Sequence, residues 1–251
     1  MATFWETRNR IRLIDLLLKI RDCPRTGTVP IFKMKILVYN LGRKNYKDTL
    51  ELQKQFLEKK KNNTLNEDVL ILVEHNPVIT IGRTGNKKDI FVTDDFFKKN
   101  NIEIIEVERG GKVTYHGPGQ LVVYPIFDLK KIGKDIHKII RRYEEVIIDF
   151  LKSYDIKGNR KKDFTGVWVD GKKIASIGIA ASSWITYHGI SININNDIKN
   201  FSVINPCGLS YENMTSLSKI LNKDMNFSEA CLNLINSFQK EFDSEMVYDE
   251  L

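Results

Sequence analysis

From residue 34 onward, apolar positions follow two rhythms. Lys35-Ile-Leu-Val-Tyr39 and Asp68-Val-Leu-Ile-Leu-Val73 are short runs rich in branched side chains and read as strands, as do residues 102–107 and 121–127. Residues 46–61 predict an amphipathic helix with Leu50, Phe56 and Leu57 on its apolar side. The clearest helix covers 134–154, where Ile136, Ile139, Ile140, Tyr143, Val146, Ile147, Phe150 and Leu151 recur at helical spacing. Residues 164–169 and 173–180 predict two strands joined by Asp170-Gly171, a strong hairpin signal. Ile190, Ile192 and Ile194 alternate with Ser191, Asn193 and Asn195, as in a strand with one wet face. A last helix is predicted over 227–242, with Asn226 and Glu229 at capping-box spacing.

These elements are not spaced as regular βαβ units, and no internal repeat interrupts them. The pattern predicts one α+β domain of mixed β-sheets with packed helices over residues 34–251. Residues 1–33 differ. Arg8, Arg10 and Arg12 precede Leu16, Leu17 and Leu18, and Pro24 and Pro30 follow. Asp15 and Lys19 break the apolar stretch, which makes it a poor secretory signal, and Glu6, Asp15 and Asp22 count against an organelle transit peptide. Ile11, Ile14 and Leu17 or Leu18 could line one face of a short helix. Residues 1–33 therefore read as an N-terminal extension or a mis-assigned start, with Met34 as the natural first residue.

With 42% hydrophobic and 28% charged residues, a chain of 251 residues can build a core without disulfides or metal. Disordered, collagen-like and disulfide-scaffold classes are excluded, and no apolar run approaches the roughly 18 residues of a membrane span. The net charge of +7 fits nucleic acid, an anionic surface or an acidic protein as partner. It fits equally a composition rich in Lys, Asn and Ile throughout. Cys23, Cys207 and Cys231 stand far apart with no C-x-x-C pair, which suits a reducing compartment.

The most unusual segment is Arg109-Gly-Gly-Lys-Val-Thr-Tyr-His-Gly-Pro-Gly-Gln120, with four glycines and a proline in twelve residues. Gly110 and Gly111 permit positive φ and close approach of a ligand. Gly117-Pro118-Gly119 forces a tight turn. Between them, Val113, Thr114 and Tyr115 would form a short strand presenting His116. The alternative is a plain pair of turns with His116 packed inside. Cys207, in Ile204-Asn-Pro-Cys-Gly208, sits on a turn where a thiol could serve as a nucleophile, or could simply be a buried cysteine. Cys231 shares a helical face with Ile235, Phe238 and Phe242 and reads as core. Lys173 heads an alternating strand on the face of Ala175, Ile177 and Ile179. It either reaches solvent at the sheet end or is desolvated beside a functional partner. His75, His116, His137 and His188 lack zinc-ligand spacing, so no metal is expected, and no G-x-S-x-G points to a serine hydrolase.

Four segments in order give a resemblance. They are residues 109–120, Gly166-Val-Trp-Val-Asp-Gly-Lys-Lys-Ile-Ala-Ser-Ile-Gly178, His188-Gly-Ile-Ser-Ile-Asn-Ile-Asn195 and Ile204-Asn-Pro-Cys-Gly208. Over about residues 35–245 the chain resembles the octanoyl-[acyl-carrier-protein]:protein octanoyltransferases, the lipoyl(octanoyl) transferases. The resemblance implies the fold of biotin and lipoate protein ligases. It implies transfer of an octanoyl group from octanoyl-acyl carrier protein to a lysine of a lipoyl domain, in 2-oxoacid dehydrogenases and the glycine cleavage H protein. Cys207 would be the nucleophile and Lys173 its catalytic partner. Arg109, Gly110, Gly111, Lys112, Val113, Thr114, Tyr115, His116, Ser176, Ile177, Gly178, Gly189, Ile190 and Ser191 would form the acyl-substrate pocket. No cofactor, nucleic acid or membrane is expected, and the expected form is a cytoplasmic monomer. An ATP-dependent lipoate–protein ligase of the same fold is the alternative.

Overall fold

The computed structural model describes residues 34–205 and 210–249. Expectations placed on residues 1–33 and on Cys207 lie outside the described residues. The chain runs β1 (Met34–Lys44), α1 (Tyr46–Lys61), β2 (Asp68–His75), β3 (Val78–Ile81), α2 (Asp94–Lys99), β4 (Glu103–Glu106), β5 (Val113–His116) and β6 (Gln120–Ile126). It continues with α3 (Ile136–Lys152), β7 (Val167–Val169), β8 (Lys172–Ser182), β9 (Ile185–Asn193), α4 (Leu217–Leu221), α5 (Phe227–Phe242) and β10 (Ser244–Tyr248). A seven-stranded sheet has the order β10-β1-β2-β6-β9-β8-β7, and a three-stranded sheet the order β4-β3-β5. Both mix parallel and antiparallel neighbours, since β1 pairs in parallel with β10 and β2, and β3 with β4. The α+β expectation holds.

Local chemistry explains the boundaries. Helix α1 ends on Lys59, Lys60 and Lys61, whose charges suit the helix C-terminus. Its buried stripe is Tyr46, Thr49, Gln53, Phe56, Leu57 and Lys60, so the inward face is more polar than its leucines suggest. Lys60 stays buried by pairing with buried Asp68 at 2.6 Å. Helix α3 starts two residues later than predicted, because Lys134 takes a left-handed φ of +50° and Asp135 then caps the amide of Lys138. The strand expected over 164–169 shrinks to β7, because Asp163 (+63°) and Gly166 (+132°) turn the backbone before it. Asn226 caps α5 by accepting from the amides of Ser228 and Glu229.

One face of the large sheet is covered by α3 and α5, where Phe127, Tyr143, Phe238 and Phe242 pack ring against ring. Cys231 lies in this core as expected, and burial pushes its thiol up to about 12. The other face packs against α1 through Tyr39, Phe56, Ile71 and Tyr124. The chain passes between the two sheets directly at two places. At the first, β2 gives way to β3 through Asn76-Pro77. At the second, β5 gives way to β6 through residues 117–119, where Gln120 N donates to Gly117 O at 3.1 Å and Gly119 has φ +83°. That is the tight turn Gly-Pro-Gly predicts. Both passages leave a histidine at the last strand position, His75 and His116.

Candidate active site

A cavity of about 470 Å³ lies where the two sheets meet, inside the ~300–1,000 Å³ typical of small-molecule sites. Strand β7 pairs with β8 no further than Ala175, and the next residues of β8 border the cavity. Across β8 and β9, Ser176 stands opposite Ser191 and Gly178 opposite Gly189, and all four line it. The two glycines are required by close approach. A Cβ on Gly178 would sit 2.9 Å from Gly110 O, and one on Gly189 only 2.1 Å from Val123 O. The glycine-rich segment closes the opposite side. Gly110 N donates to Ile179 O at 2.9 Å, and Gly82 N donates to Lys112 O at 3.0 Å, so the segment bridges the sheets. Gly111 takes the positive φ (+86°) that the sequence allowed for both glycines. Arg109 is buried and anchors the bridge, its guanidinium donating to Thr80 Oγ1 and Thr80 O and to Gly110 O.

Lys173 lines this cavity at 4% exposure. Strict alternation puts it on the face of Ala175, and the structure does not. The ladder pairs Val167 with Ala175 but Trp168 with Lys173, so Ile174 is an extra residue. Ile174 and Ala175 both join the core with Val167. The bulge thereby re-aims Lys173 to the face of Ser176 and Gly178. Its Nζ lies 5.0 Å from the centroid of the Trp168 ring, a cation–π distance. The backbone of Lys173 also pairs with Met214 and accepts from Thr215 N at 2.9 Å. This ties β8 to the chain that follows the Cys207 segment.

The far wall is a buried cluster of neutral aromatic polar groups. Tyr46, His75 and His116 form a triangle of mutually contacting rings, with centroids 5.1 Å (Tyr46–His75), 5.9 Å (Tyr46–His116) and 6.0 Å (His75–His116) apart. Tyr124 OH and His75 Nε2 are 2.7 Å apart, as are His116 Nδ1 and Gln120 Oε1. Gln120 in turn donates to Asn193 Oδ1, and Asn193 Nδ2 to Thr215 O. Burial pushes His75 down to about 4, and burial with the nearby His75 pushes His116 down to about 3. His188 has a left-handed φ of +56°, and its ring lies 4.7 Å from that of Tyr187. Its Nε2 stands 3.6 Å from Glu108 Oε2. Burial and the Arg109 charge hold His188 down at about 4, so this is a carboxylate facing a neutral imidazole and not an ion pair.

The structure brings most of the expected pocket residues together. Arg109, Gly110, Gly111, Lys112, Thr114, His116, Lys173, Ser176, Ile177, Gly178, Gly189, Ile190 and Ser191 all border the cavity. Val113 and Tyr115 do not. They alternate to the other side of β5 and pack in the core of the small sheet with Ile79 and Phe201. Residues that the sequence did not single out also contribute, namely Tyr46, Val122, Tyr124, Phe164, Thr165 and Ile140. Ile140 was legible only as a helix-face residue. Tyr46 opens a helix and gave no signal at all.

Residues 45–239 match the lipoyl protein ligase A/B catalytic domain. An octanoyltransferase of Caldicellulosiruptor saccharolyticus is 44% identical over 211 residues, 83% of this chain and 89% of that protein. One from Caldicellulosiruptor bescii is 43% identical over 211 residues, 83% of this chain and 92% of that protein. The chain belongs to the octanoyltransferase family. It is a transferase enzyme. The fold is that of a bipartite lipoate protein ligase from Thermoplasma acidophilum, with a TM-score of 0.69 at 16% identity, covering 88% of each chain. Among the described residues, no helix is long and apolar enough to cross a membrane.

Proposed function

We propose that this enzyme takes an octanoyl group from octanoyl-acyl carrier protein and places it on a lysine of a lipoyl domain, by way of a thioester on Cys207. The observation that best supports this reading is the buried amine of Lys173 on the wall of a cavity floored by Ser176, Gly178, Gly189 and Ser191. An amine so placed suits proton transfer in both halves of the reaction. In the first half the Cys207 thiolate bonds to the thioester carbonyl carbon. The bond to the carrier thiol breaks, and the leaving sulfur takes a proton from the Lys173 ammonium. In the second half the acceptor amine bonds to the same carbon, the bond to Cys207 breaks, and the amine's proton returns to Lys173. The donor is already a thioester, so the chemistry needs no ATP. Each methylene buried in the slot is worth ~0.8 kcal/mol, which gives moderate chain-length selection. The acceptors expected are the lipoyl domains of 2-oxoacid dehydrogenases and the glycine cleavage H protein.

The test is incubation with octanoyl-acyl carrier protein alone, followed by intact mass spectrometry and peptide mapping. An octanoyl adduct on the peptide containing Cys207, absent from Cys207→Ala, is expected. No adduct on any residue, with transfer to a lipoyl domain that starts only when ATP and a free acid are supplied, would replace this reading with that of an ATP-dependent ligase.

A further inference from the structure

Glu144 is out of place by hydrophobic pattern. It lies in the middle of α3 and is 0% exposed, and a buried carboxylate is costly unless its oxygens are satisfied. Oε2 accepts from Arg141 Nη1 at 2.7 Å and from Arg160 Nε at 3.0 Å. Oε1 accepts from the backbone amide of Gly166 at 3.1 Å. The two arginines compensate the charge, and the remaining oxygen holds one amide in a loop that borders the cavity.

That loop bears on Lys173. Asp163, Phe164 and Thr165 line the cavity, and Gly166 follows with φ +132°, a conformation that L residues rarely adopt. A Cβ on Gly166 would lie 2.4 Å from Ala175 O, 2.8 Å from Lys173 Cε and 3.4 Å from Lys173 Nζ. The missing side chain is thus the berth in which the lysine stem lies, between Gly166 and the Trp168 ring. Arg160 extends the tie outward, donating also to Glu145 Oε2 at 2.8 Å and to Arg141 O at 3.2 Å. A turn of α3 and the 160–166 loop are fastened at one buried carboxylate, and the last residue of that loop sets where the lysine amine can sit.

We infer that Glu144 is a positioning residue for Lys173, acting through the Gly166 amide. The inference rests on the catalytic reading of Lys173, and one arm of its test does not. Glu144→Ala removes the acceptor. Glu144→Gln keeps an amide oxygen for Gly166 and should retain more activity. Gly166→Ala keeps the side chains of Glu144 and both arginines but drives a methyl group against Ala175 O and the Lys173 stem, displacing the backbone that berths the lysine. In each variant, octanoyl transfer at saturating donor should fall, by roughly 100-fold for Glu144→Ala, with KM for donor changed only a few-fold. The independent arm labels lysines in the full chain with a small amine-reactive ester and quantifies Lys173 by peptide mass spectrometry. Lys60, buried in its pair with Asp68 far along the chain, is the internal control. The ratio of Lys173 to Lys60 labelling should rise several-fold in Glu144→Ala and Gly166→Ala. General loosening would raise both lysines together and leave the ratio unchanged. An unchanged ratio, with a lowered melting temperature and wild-type turnover of the folded fraction, would overturn the inference. A raised ratio in an enzyme that shows no octanoyl transfer even as wild type would keep the positioning role and discard the catalytic reading.

Discussion

Lys173 and the three buried histidines show how environment decides what a side chain can do. Under the proposed mechanism Lys173 must both give and take a proton, and an arginine can do neither at working pH. Lys173→Arg should keep the fold and slow both half-reactions by about 10²- to 10⁴-fold, read separately as acyl-enzyme formation and acyl-enzyme discharge. His75, His116 and His188 have ordinary values of 6.5 and are held at about 4, 3 and 4 in the folded protein. Their protonated forms are favoured only after unfolding. Unfolding therefore takes up protons once the pH drops below about 6.5, and stability is lost from there down toward about 4. Each histidine adds up to about 1.4 kcal/mol per pH unit within that window. The urea midpoint should be flat above about pH 7.5 and fall steeply by about pH 5, with a shallower fall in His75→Gln. From sequence, the buried role of Cys231 was legible because its neighbours at helical spacing are all large and apolar. The true face of Lys173 was not, since one extra residue shifts the alternation and leaves no mark in composition.

Secondary elements were legible where a single face is buried over many residues. Helices α1 and α5 coincide with their predicted spans, and α3 differs by two residues at each end. Strand β3 was missed, because a four-residue run after Asn76-Pro77 has no room for a pattern. The inward face of α1 was only partly legible, since Gln53 and Thr49 are buried for their hydrogen bonds and not for their hydropathy. The pairing of Gly178 with Gly189 belongs to this scale, because neither glycine has meaning alone. Gly189→Ala would drive a methyl group into Val123 O and pry β9 from β6. It should cost about 3 kcal/mol or more, seen as a lower denaturant midpoint. Gly178→Ala would press instead on Gly110 O and Arg109 Cδ. Most of that strain falls on the bridging segment, so octanoyl transfer should suffer more than stability.

For the molecule as a whole, the mixed α+β class was readable from element order, but the strand order was not. Placing β10, the last strand of the described chain, beside β1 depends on a contact spanning the whole domain, and no local pattern encodes it. The site shares this property. Its walls come from β5, β6, β8, β9, α1 and α3, and only motif resemblance gathered most of them beforehand. The net charge of +7 acts at the same scale. With an acidic carrier protein as donor, long-range attraction should raise the encounter rate and fade as salt screens it. KM for the carrier-bound donor should climb as ionic strength goes from about 0.05 to about 0.5 M, while KM for an uncharged octanoyl thioester stays level.

Lys172 and Lys173 are chemically identical neighbours, and counting back by twos from Ser176 would select the former for the cavity. Ile174 reverses that choice. Anyone grafting this hairpin onto a different scaffold must therefore carry its irregularity along with its amine. A straightened copy would keep every residue type and turn the wrong lysine toward the cavity, leaving the intended one lodged in oil.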